Sequence, residues 1–115
     1  MKLLTIIQVG GWILCIVLIA PRILAAQQVD AAAGKAVYSK NCAACHGAAG
    51  EGKEALAKAL KVEMRRLGSK EVQAKADGDL RKDVTAGVGK MKPVEKLSEK
   101  DLGNLIAYLR GLAEK

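Results

Sequence analysis

Aromatic side chains are almost absent from this sequence. It contains no Phe, and aromatic residues make up only 3% of its 115 residues. Trp12 lies in an apolar N-terminal segment, which leaves Tyr38 and Tyr108 as the aromatic residues of the remaining body. A core built mainly from Ala, Leu and Val is thin in so short a chain, and domains of this size usually need a disulfide, a metal or another staple. The sequence therefore predicts one small domain that a cross-link or a bound group stabilises.

The sequence also lacks the alternating pattern of β-strands, internal repeats and low-complexity tracts. Its apolar residues instead recur at helical spacing, most clearly in a last helix that Ser98 should cap. Asp30 should cap a first helix that runs to Lys40, and Asp77 a later helix that ends at Gly87. We also predict a short helix over residues 53–61 and an irregular stretch over 62–76 with one helical turn. The apolar residues of the last two helices are Leu80, Val84, Leu102, Leu105, Ile106, Leu109 and Leu112. The predicted fold class is all-α, with four to five short helices.

The N-terminus has the parts of a secretory signal. Lys2 precedes an apolar run over residues 3–20, and small residues lead up to Ala26. The run is just long enough to span a bilayer, so a retained anchor helix is the alternative to cleavage. We expect residues 1–26 to be a signal peptide or membrane anchor and residues 27–115 to form one exported domain. That domain would be soluble in the periplasm after cleavage, or held at the outer face of the cytoplasmic membrane through residues 3–20.

The formal net charge of +7 indicates which partners fit. Nucleic acid is a poor candidate, because acidic residues are interleaved with the basic ones and no aromatic residues lie among them for base stacking. An acidic protein or an anionic membrane surface suits the charge better.

The most specific chemical signal is the segment Cys42-Ala43-Ala44-Cys45-His46. The CxxCH spacing is the attachment signature of c-type haem. Two thiols three positions apart on one helical turn reach the two vinyl groups on one side of a porphyrin, and the adjacent imidazole then lies beneath the iron. We therefore predict one covalent haem c, with thioethers from Cys42 and Cys45 and with His46 as the proximal iron ligand.

Other uses of these cysteines fit the residue inventory less well. A closed zinc site needs four ligands, whereas His46 is the only His and the third cysteine, Cys15, lies in the N-terminal segment. A thioredoxin-like dithiol needs a βαβ setting that the pattern does not predict. A disulfide between Cys42 and Cys45 is possible in an oxidising compartment, but it leaves His46 without a role.

The second axial ligand of the iron has two candidates. With no second His, a thioether is the common choice. Met91 follows Gly87-Val88-Gly89 and precedes Pro93, so it lies in an extended loop free of helix. Met64 lies in the irregular middle stretch and is the alternative. We favour Met91, while core filling is the ordinary use of either side chain.

Taken together, residues 30–115 resemble the class I cytochrome c family, in particular its small bacterial single-haem members. Gly34 and Tyr38 stand eight and four positions before Cys42, and Leu105 and Tyr108 match the pair on the family's last helix. The resemblance implies that this helix crosses the first at Gly34, and that Met91 is the distal ligand. This sequence departs from the family by placing Lys92 between Met91 and Pro93. It also has no Pro in the loop after the motif, so the carbonyl that orients His46 is not identified.

The function that follows is a single-electron carrier in a respiratory or related redox chain, and not an enzyme. A six-coordinate His/Met iron has no vacant position for a substrate. The alternatives are a haem subunit of a larger membrane redox complex, and a haem that binds a small ligand as a sensor or weak peroxidase. We expect redox proteins with acidic docking surfaces as partners, contacted by a basic rim around the haem edge formed by Lys40, Lys53, Lys90, Lys92 and Lys96.

Overall fold

The computed structural model describes residues 28–115, and the predicted leader lies outside them. The described chain forms six helices: α1 Ala31–Asn41, α2 Ala43–His46, α3 Glu54–Leu60, α4 Lys70–Gln73, α5 Asp77–Ala86 and α6 Glu99–Gly111. Apart from these, residues 28–115 contain one isolated β-bridge, between Val88 and Met91. The all-α class is confirmed; α2 and α4 are single turns, which brings the number of helices to six. No helix within this part of the chain is both long enough and apolar enough to cross a membrane.

Two of the three predicted helix caps are present. The carboxylate of Asp30 accepts hydrogen bonds from the backbone N–H groups of Ala32 and Ala33, at 2.8 and 3.2 Å. The hydroxyl of Ser98 accepts one from the backbone N–H of Asp101, at 3.0 Å. Each cap satisfies an N–H that has no partner inside its helix.

The prediction that Asp77 caps α5 is wrong. Ala76 occupies the capping position, and Asp77 is the first helical residue. Its carboxylate accepts hydrogen bonds from the Arg110 guanidinium at 2.6 and 3.0 Å. A charged donor forms a stronger hydrogen bond with a carboxylate than a backbone N–H does, so the contact with α6 takes the place of a local cap.

Helices α1 and α6 cross at Gly34, as the resemblance implies. A Cβ atom at Gly34 would overlap the backbone carbonyl oxygen of Asn104 and lie 2.9 Å from the Cβ of Tyr108. The nearest atoms thus belong to Asn104 and Tyr108, whereas we expected Leu105 beside Tyr108. Leu105 is fully buried in the core instead. Only a residue without a side chain allows two helix backbones to approach this closely.

The helix crossing carries a buried hydrogen bond that the sequence did not indicate. The side-chain oxygen of Asn104, a residue with 2% exposure, accepts from the backbone N–H of Asp30 at 2.8 Å. Asp30 is the cap of α1, so this contact joins the start of the first helix to the middle of the last. The core that α6 completes consists of Tyr38, Cys42, Leu80, Val84, Leu102, Leu105, Ile106 and Leu109.

Arg110 attaches the segment between α4 and α5 to α6. Its guanidinium donates to the backbone carbonyls of Gln73 and Lys75, at 2.8 and 2.6 Å, in addition to Asp77. The Gln73 amide in turn donates to the carbonyls of Leu67 and Leu109, at 2.8 and 3.0 Å. These bonds hold residues 67–77 in place as one wall of the cavity described next.

Candidate functional site

A cavity of about 960 Å³ opens between the helices and the loops that join them. It is lined by every residue that the sequence analysis selected for haem binding: Cys42, Cys45, His46, Met91 and Met64. Most of the remaining wall is apolar and consists of Leu56, Leu60, Val62, Leu67, Val72, Leu80, Val84, Val88, Pro93, Val94, Leu105 and Leu109. The predicted residues therefore line one largely apolar cavity, although Cys42 and Met91 are 49 positions apart in the sequence.

The attachment motif forms a single helical turn at the end of α1. Cys42 lies between α1 and α2, and its backbone N–H donates to the carbonyl of Tyr38 at 2.8 Å. The backbone N–H of His46 then donates to the carbonyl of Cys42 at 2.9 Å. Cys42 is buried and Cys45 is exposed. Burial raises the pKa of the Cys42 thiol to about 11, so this thiol is neutral at physiological pH.

The imidazole of His46 is partly buried and lacks a hydrogen-bond partner on one side. Its Nδ1 atom is buried, and no acceptor for it is found among residues 28–115. Burial lowers the pKa of His46 below its usual value, which favours the neutral ring. A neutral imidazole is the form that binds a metal. Within residues 28–115, no backbone carbonyl accepts a hydrogen bond from the Nδ1 of His46 and so orients the ring.

The loop after His46 is fixed by hydrogen bonds rather than by a proline. The phenol of Tyr38 donates to the carbonyl of Gly47 at 2.6 Å, inside the core. The backbone N–H of Gly52 donates to the carbonyl of His46, also at 2.6 Å. The carboxylate of Glu51 accepts from the N–H of Ala49 at 2.7 Å, and such backbone bonds lower the pKa of Glu51. These contacts hold the backbone that carries His46.

The loop that carries Met91 is closed by its own backbone. Val88 and Met91 each donate an N–H to the other's carbonyl, at 3.1 and 2.9 Å, around a turn in which Gly89 has a φ of 56°. The N–H of Val94 then donates to the carbonyl of Val84 in α5, at 2.8 Å. The residue inserted between Met91 and Pro93 does not disturb this turn, because Lys92 is exposed to solvent.

Met64 also lines the cavity, but it lies beside the segment that carries His46. A Cβ at Gly52 would be 3.6 Å from the sulfur of Met64 and 3.5 Å from its Cγ. Gly52 is itself hydrogen-bonded to the carbonyl of His46. Met91, by contrast, enters from the loop after α5. The two methionines thus reach the cavity from different structural segments.

Comparison with known proteins agrees with this geometry. Residues 31–113 match the sequence family described as Cytochrome c. The chain belongs to the cytochrome c family. The solved c-type cytochrome KustC0563 is similar to it, with 27% identity and a TM-score of 0.61 over 75% of this chain and 100% of the other. No curated protein matches it.

Family membership settles the cofactor, which is covalently bound haem c with its iron. The residues on the cavity wall suit that group, because the wall is apolar and carries two thiols next to one imidazole. A zinc centre does not suit them, since no three metal-binding side chains of the His, Cys, Asp or Glu type cluster anywhere in residues 28–115. Members of the family are generally haem-based electron carriers rather than enzymes, and typically act outside the cytoplasm.

Tyr38 allows a test of how the cytochrome holds its attachment loop. Replacing Tyr38 with Phe removes the buried hydrogen bond to Gly47 and should lower the free energy of unfolding by about 1–3 kcal/mol. Burial raises the pKa of the Tyr38 phenol to about 12, so the folded protein favours the neutral form. In the unfolded chain the phenol of Tyr38 ionises near its ordinary pKa of about 10. The stabilisation that neutral Tyr38 gives the folded state is therefore complete below about pH 10 and is lost as the pH rises toward about 12.

Denaturant unfolding at several pH values measures both effects. The wild type should exceed Tyr38→Phe in stability at pH 8, and the difference should narrow between about pH 10 and about pH 12. Tyr108→Phe is the matched control, because Tyr108 belongs to the same ring pair but is only partly buried. A constant difference across this range would contradict the role assigned to Tyr38.

Sequence reasoning missed the residues that support the site from a distance. These are Asn104, Gln73 and Arg110, each of which forms a hydrogen bond with a residue 33 or more positions away. The bond of Asn104 spans the α1–α6 crossing. Nothing in the local pattern distinguishes them from ordinary surface residues of a helix. Tyr38 was selected as a family aromatic residue, but its hydrogen bond to Gly47 was not predicted.

Proposed function

We propose that this cytochrome is a single-electron carrier whose haem is attached through Cys42 and Cys45, with His46 and Met91 as the axial ligands. The observation that carries the proposal is that Met91 and His46 line one apolar cavity from separate, independently fixed segments. A nitrogen ligand and a thioether are a common pair in cytochromes c. When bound, the haem supplies an iron that changes valence by one electron.

His46 and Met91 each have a proposed role in holding the iron, and each is supported by its own segment of backbone. The neutral imidazole of His46 supplies a nitrogen lone pair, and the loop over residues 47–52 limits its movement. The closed turn between Val88 and Met91, together with the bond from Val94 to Val84, fixes the backbone that carries the Met91 thioether relative to α5. The apolar part of the wall would contact the faces of a bound haem. Ligands that keep their positions in both oxidation states favour rapid electron exchange, because little has to rearrange.

Met91 is a better distal ligand than Met64 on this geometry. Two ligands of one haem must approach from opposite faces. Met64 lies near Gly52, and the backbone N–H of Gly52 donates to the carbonyl of His46, so Met64 neighbours the segment that carries the imidazole. Met64 is better placed to line the pocket next to His46. Met91 has no such link to that segment.

The ligand assignment makes a direct spectroscopic prediction. Oxidised wild-type protein should show the weak near-infrared charge-transfer band of methionine-ligated ferric haem, and the reduced form should resist carbon monoxide. Met91→Ala should lose the band and bind carbon monoxide readily once reduced. Met64→Ala is the matched control and should keep the band. The reverse pattern would make Met64 the ligand, and avid binding by the wild type would favour the ligand-binding alternative.

We further propose that residues 1–26 direct export, and that the carrier works outside the cytoplasm. The family's usual location supports this, together with the signal-like composition of the leader. A retained leader would tether the carrier to the membrane and would favour a role beside, or within, a larger redox complex. Mass spectrometry of the mature protein distinguishes the two forms.

The proposed partner is a redox protein with an acidic docking surface. Lys90 and Lys92 are exposed at the cavity wall, while Lys40, Lys53 and Lys96 are exposed but do not line it. Lys75 lines the cavity as well. It is therefore unsuitable as a remote control in a test of the basic rim.

Charge reversal at the rim should slow docking. Lys90→Glu with Lys92→Glu should reduce the electron-exchange rate with a negatively charged redox protein roughly tenfold at low salt, and flatten its salt dependence. Lys35→Glu with Lys100→Glu changes the net charge equally at exposed sites off the cavity. Stopped-flow rates from low to high ionic strength compare the pairs. Equal effects would mean that net charge, and not the rim, governs encounter.

A further inference from the structure

One acidic side chain in the cavity wall is less exposed to solvent than the other charged groups there. Within residues 28–115, the charged residues that line the cavity are Glu63, Arg65, Lys75, Asp83, Lys90, Lys92 and Glu95. All are exposed except Asp83, whose side chain is only 27% exposed. Its carboxylate pairs with the ammonium of Lys75 at 2.5 Å. The cavity wall therefore contains an ion pair, one member of which is partly buried.

Both members of this pair are held by rigid parts of the fold. Asp83 stands on α5 next to Val84, a buried core residue that also lines the cavity. The backbone carbonyl of Lys75 accepts a hydrogen bond from Arg110 at 2.6 Å, and the same guanidinium binds Asp77. The segment that carries Lys75 is thus attached to α6 immediately beside the pair. Asp83 is thus positioned by its helix, and Lys75 by a backbone carbonyl anchored in the connection between α4 and α5.

Charges at such a wall act strongly on a redox centre inside the chamber. Oxidation of the iron adds one positive charge, so a nearby carboxylate favours the oxidised state and a nearby ammonium favours the reduced state. Solvent and salt screen these effects less for partly buried groups than for fully exposed ones. Because Asp83 and Lys75 carry opposite charges and lie next to each other, their effects on the reduction potential have opposite signs and oppose each other.

We propose that Lys75 and Asp83 shift the reduction potential of this cytochrome in opposite directions, and that their pairing at the wall of the haem cavity makes the two effects cancel. The inference rests on the proposed function, because it requires a redox-active haem in this chamber. Neither residue contacts the attachment motif through any hydrogen bond of the described chain. The pair acts through its charge, and removing one member should leave the other uncompensated.

The test compares three variants of the haem-bearing protein by protein-film voltammetry. Asp83→Asn should raise the reduction potential, since it leaves Lys75 unopposed, and Lys75→Met should lower it. At a fixed solution potential, each change should alter the ratio of oxidised to reduced protein roughly three- to tenfold, in opposite directions. The double variant should return close to the wild type.

The exposed pair of Glu54 and Lys58 provides a matched control. Its side chains are 82% and 75% exposed, and neither residue lines the cavity. Glu54→Gln and Lys58→Met make the same charge changes and should leave the potential nearly unchanged. Thermal melts of every variant separate a charge effect from a loss of folding.

The outcomes distinguish the inference from the function on which it rests. Opposite shifts that cancel in the double variant support it. Shifts of the same sign, no shifts, or equal shifts in the control pair overturn it while the carrier function stands. Should Lys75→Met fail to fold, the sign of the shift in Asp83→Asn still decides. A wild type without a reversible redox couple would overturn the proposed function and the inference together.

Discussion

A variant with alanine in place of both Cys42 and Cys45 should carry no covalently bound haem. Both thiols line the cavity beside His46, and we propose them as the two attachment points that a c-type haem uses. After extraction with acidified acetone and denaturing electrophoresis, haem staining should remain on the wild-type band and be absent from the variant. The expected loss is complete, because no other cysteine of the described residues is available.

Cys15→Ala is the control for this experiment. Cys15 is the third cysteine of the chain and lies in the predicted leader. Its replacement should leave the covalent haem in place. Haem that washes out of the wild type would overturn attachment through this motif, and haem that stays on the double variant would require another site.

Replacing Gly34 with alanine should destabilise the protein by about 3 kcal/mol or more, at the upper end of what overpacking costs. The added methyl group would overlap the carbonyl oxygen of Asn104, which is backbone and cannot move aside by changing rotamer. Relief requires α1 and α6 to separate, which would also strain the hydrogen bond between Asp30 and Asn104. In a domain this small, that is a large share of the total stability.

Gly111→Ala separates this packing cost from helix propensity. Both glycines are helical, and alanine is intrinsically better than glycine in a helix by roughly 0.5–1 kcal/mol. A Cβ at Gly111 would meet no atom within 4 Å, so this variant should be neutral or slightly stabilised. Denaturant melts of the two variants measure the difference. Similar stabilities would show that the helices do not cross at Gly34 as closely as described.

The parts of the fold that depend on neighbours in sequence could be predicted. Asp30 and Ser98 cap their helices because the bonds they form reach only two or three residues ahead. Asp77 is an aspartate like Asp30 and also lies at the start of a helix, yet its carboxylate accepts a hydrogen bond from Arg110, 33 positions away. A local pattern holds no information about such a partner. The Asn104 contact with Asp30 was missed for the same reason.

The candidate site shows the same division. The spacing of Cys42, Cys45 and His46 is local, and it alone places the three side chains at one end of a chamber. The sequence favoured Met91 over Met64 from its extended loop, and the fold adds that both line the cavity while Met64 lies near Gly52, beside the segment that carries His46. The ion pair of Lys75 and Asp83 joins the connection between α4 and α5 to α5 itself, through side chains eight positions apart, and no periodicity predicts it.

The turn that carries Met91 has a consequence for how this protein can diverge. It is closed by main-chain hydrogen bonds between Val88 and Met91, which any amino acid except proline can form. Lys90 and Lys92 are therefore free to change identity without moving the sulfur, whereas inserting or deleting a single residue would shift it out of register. Natural variation and protein engineering could thus alter the surface charge around the turn while the proposed iron ligand, Met91, stays in place. Recognition and ligation are adjacent here in sequence but can be optimised separately.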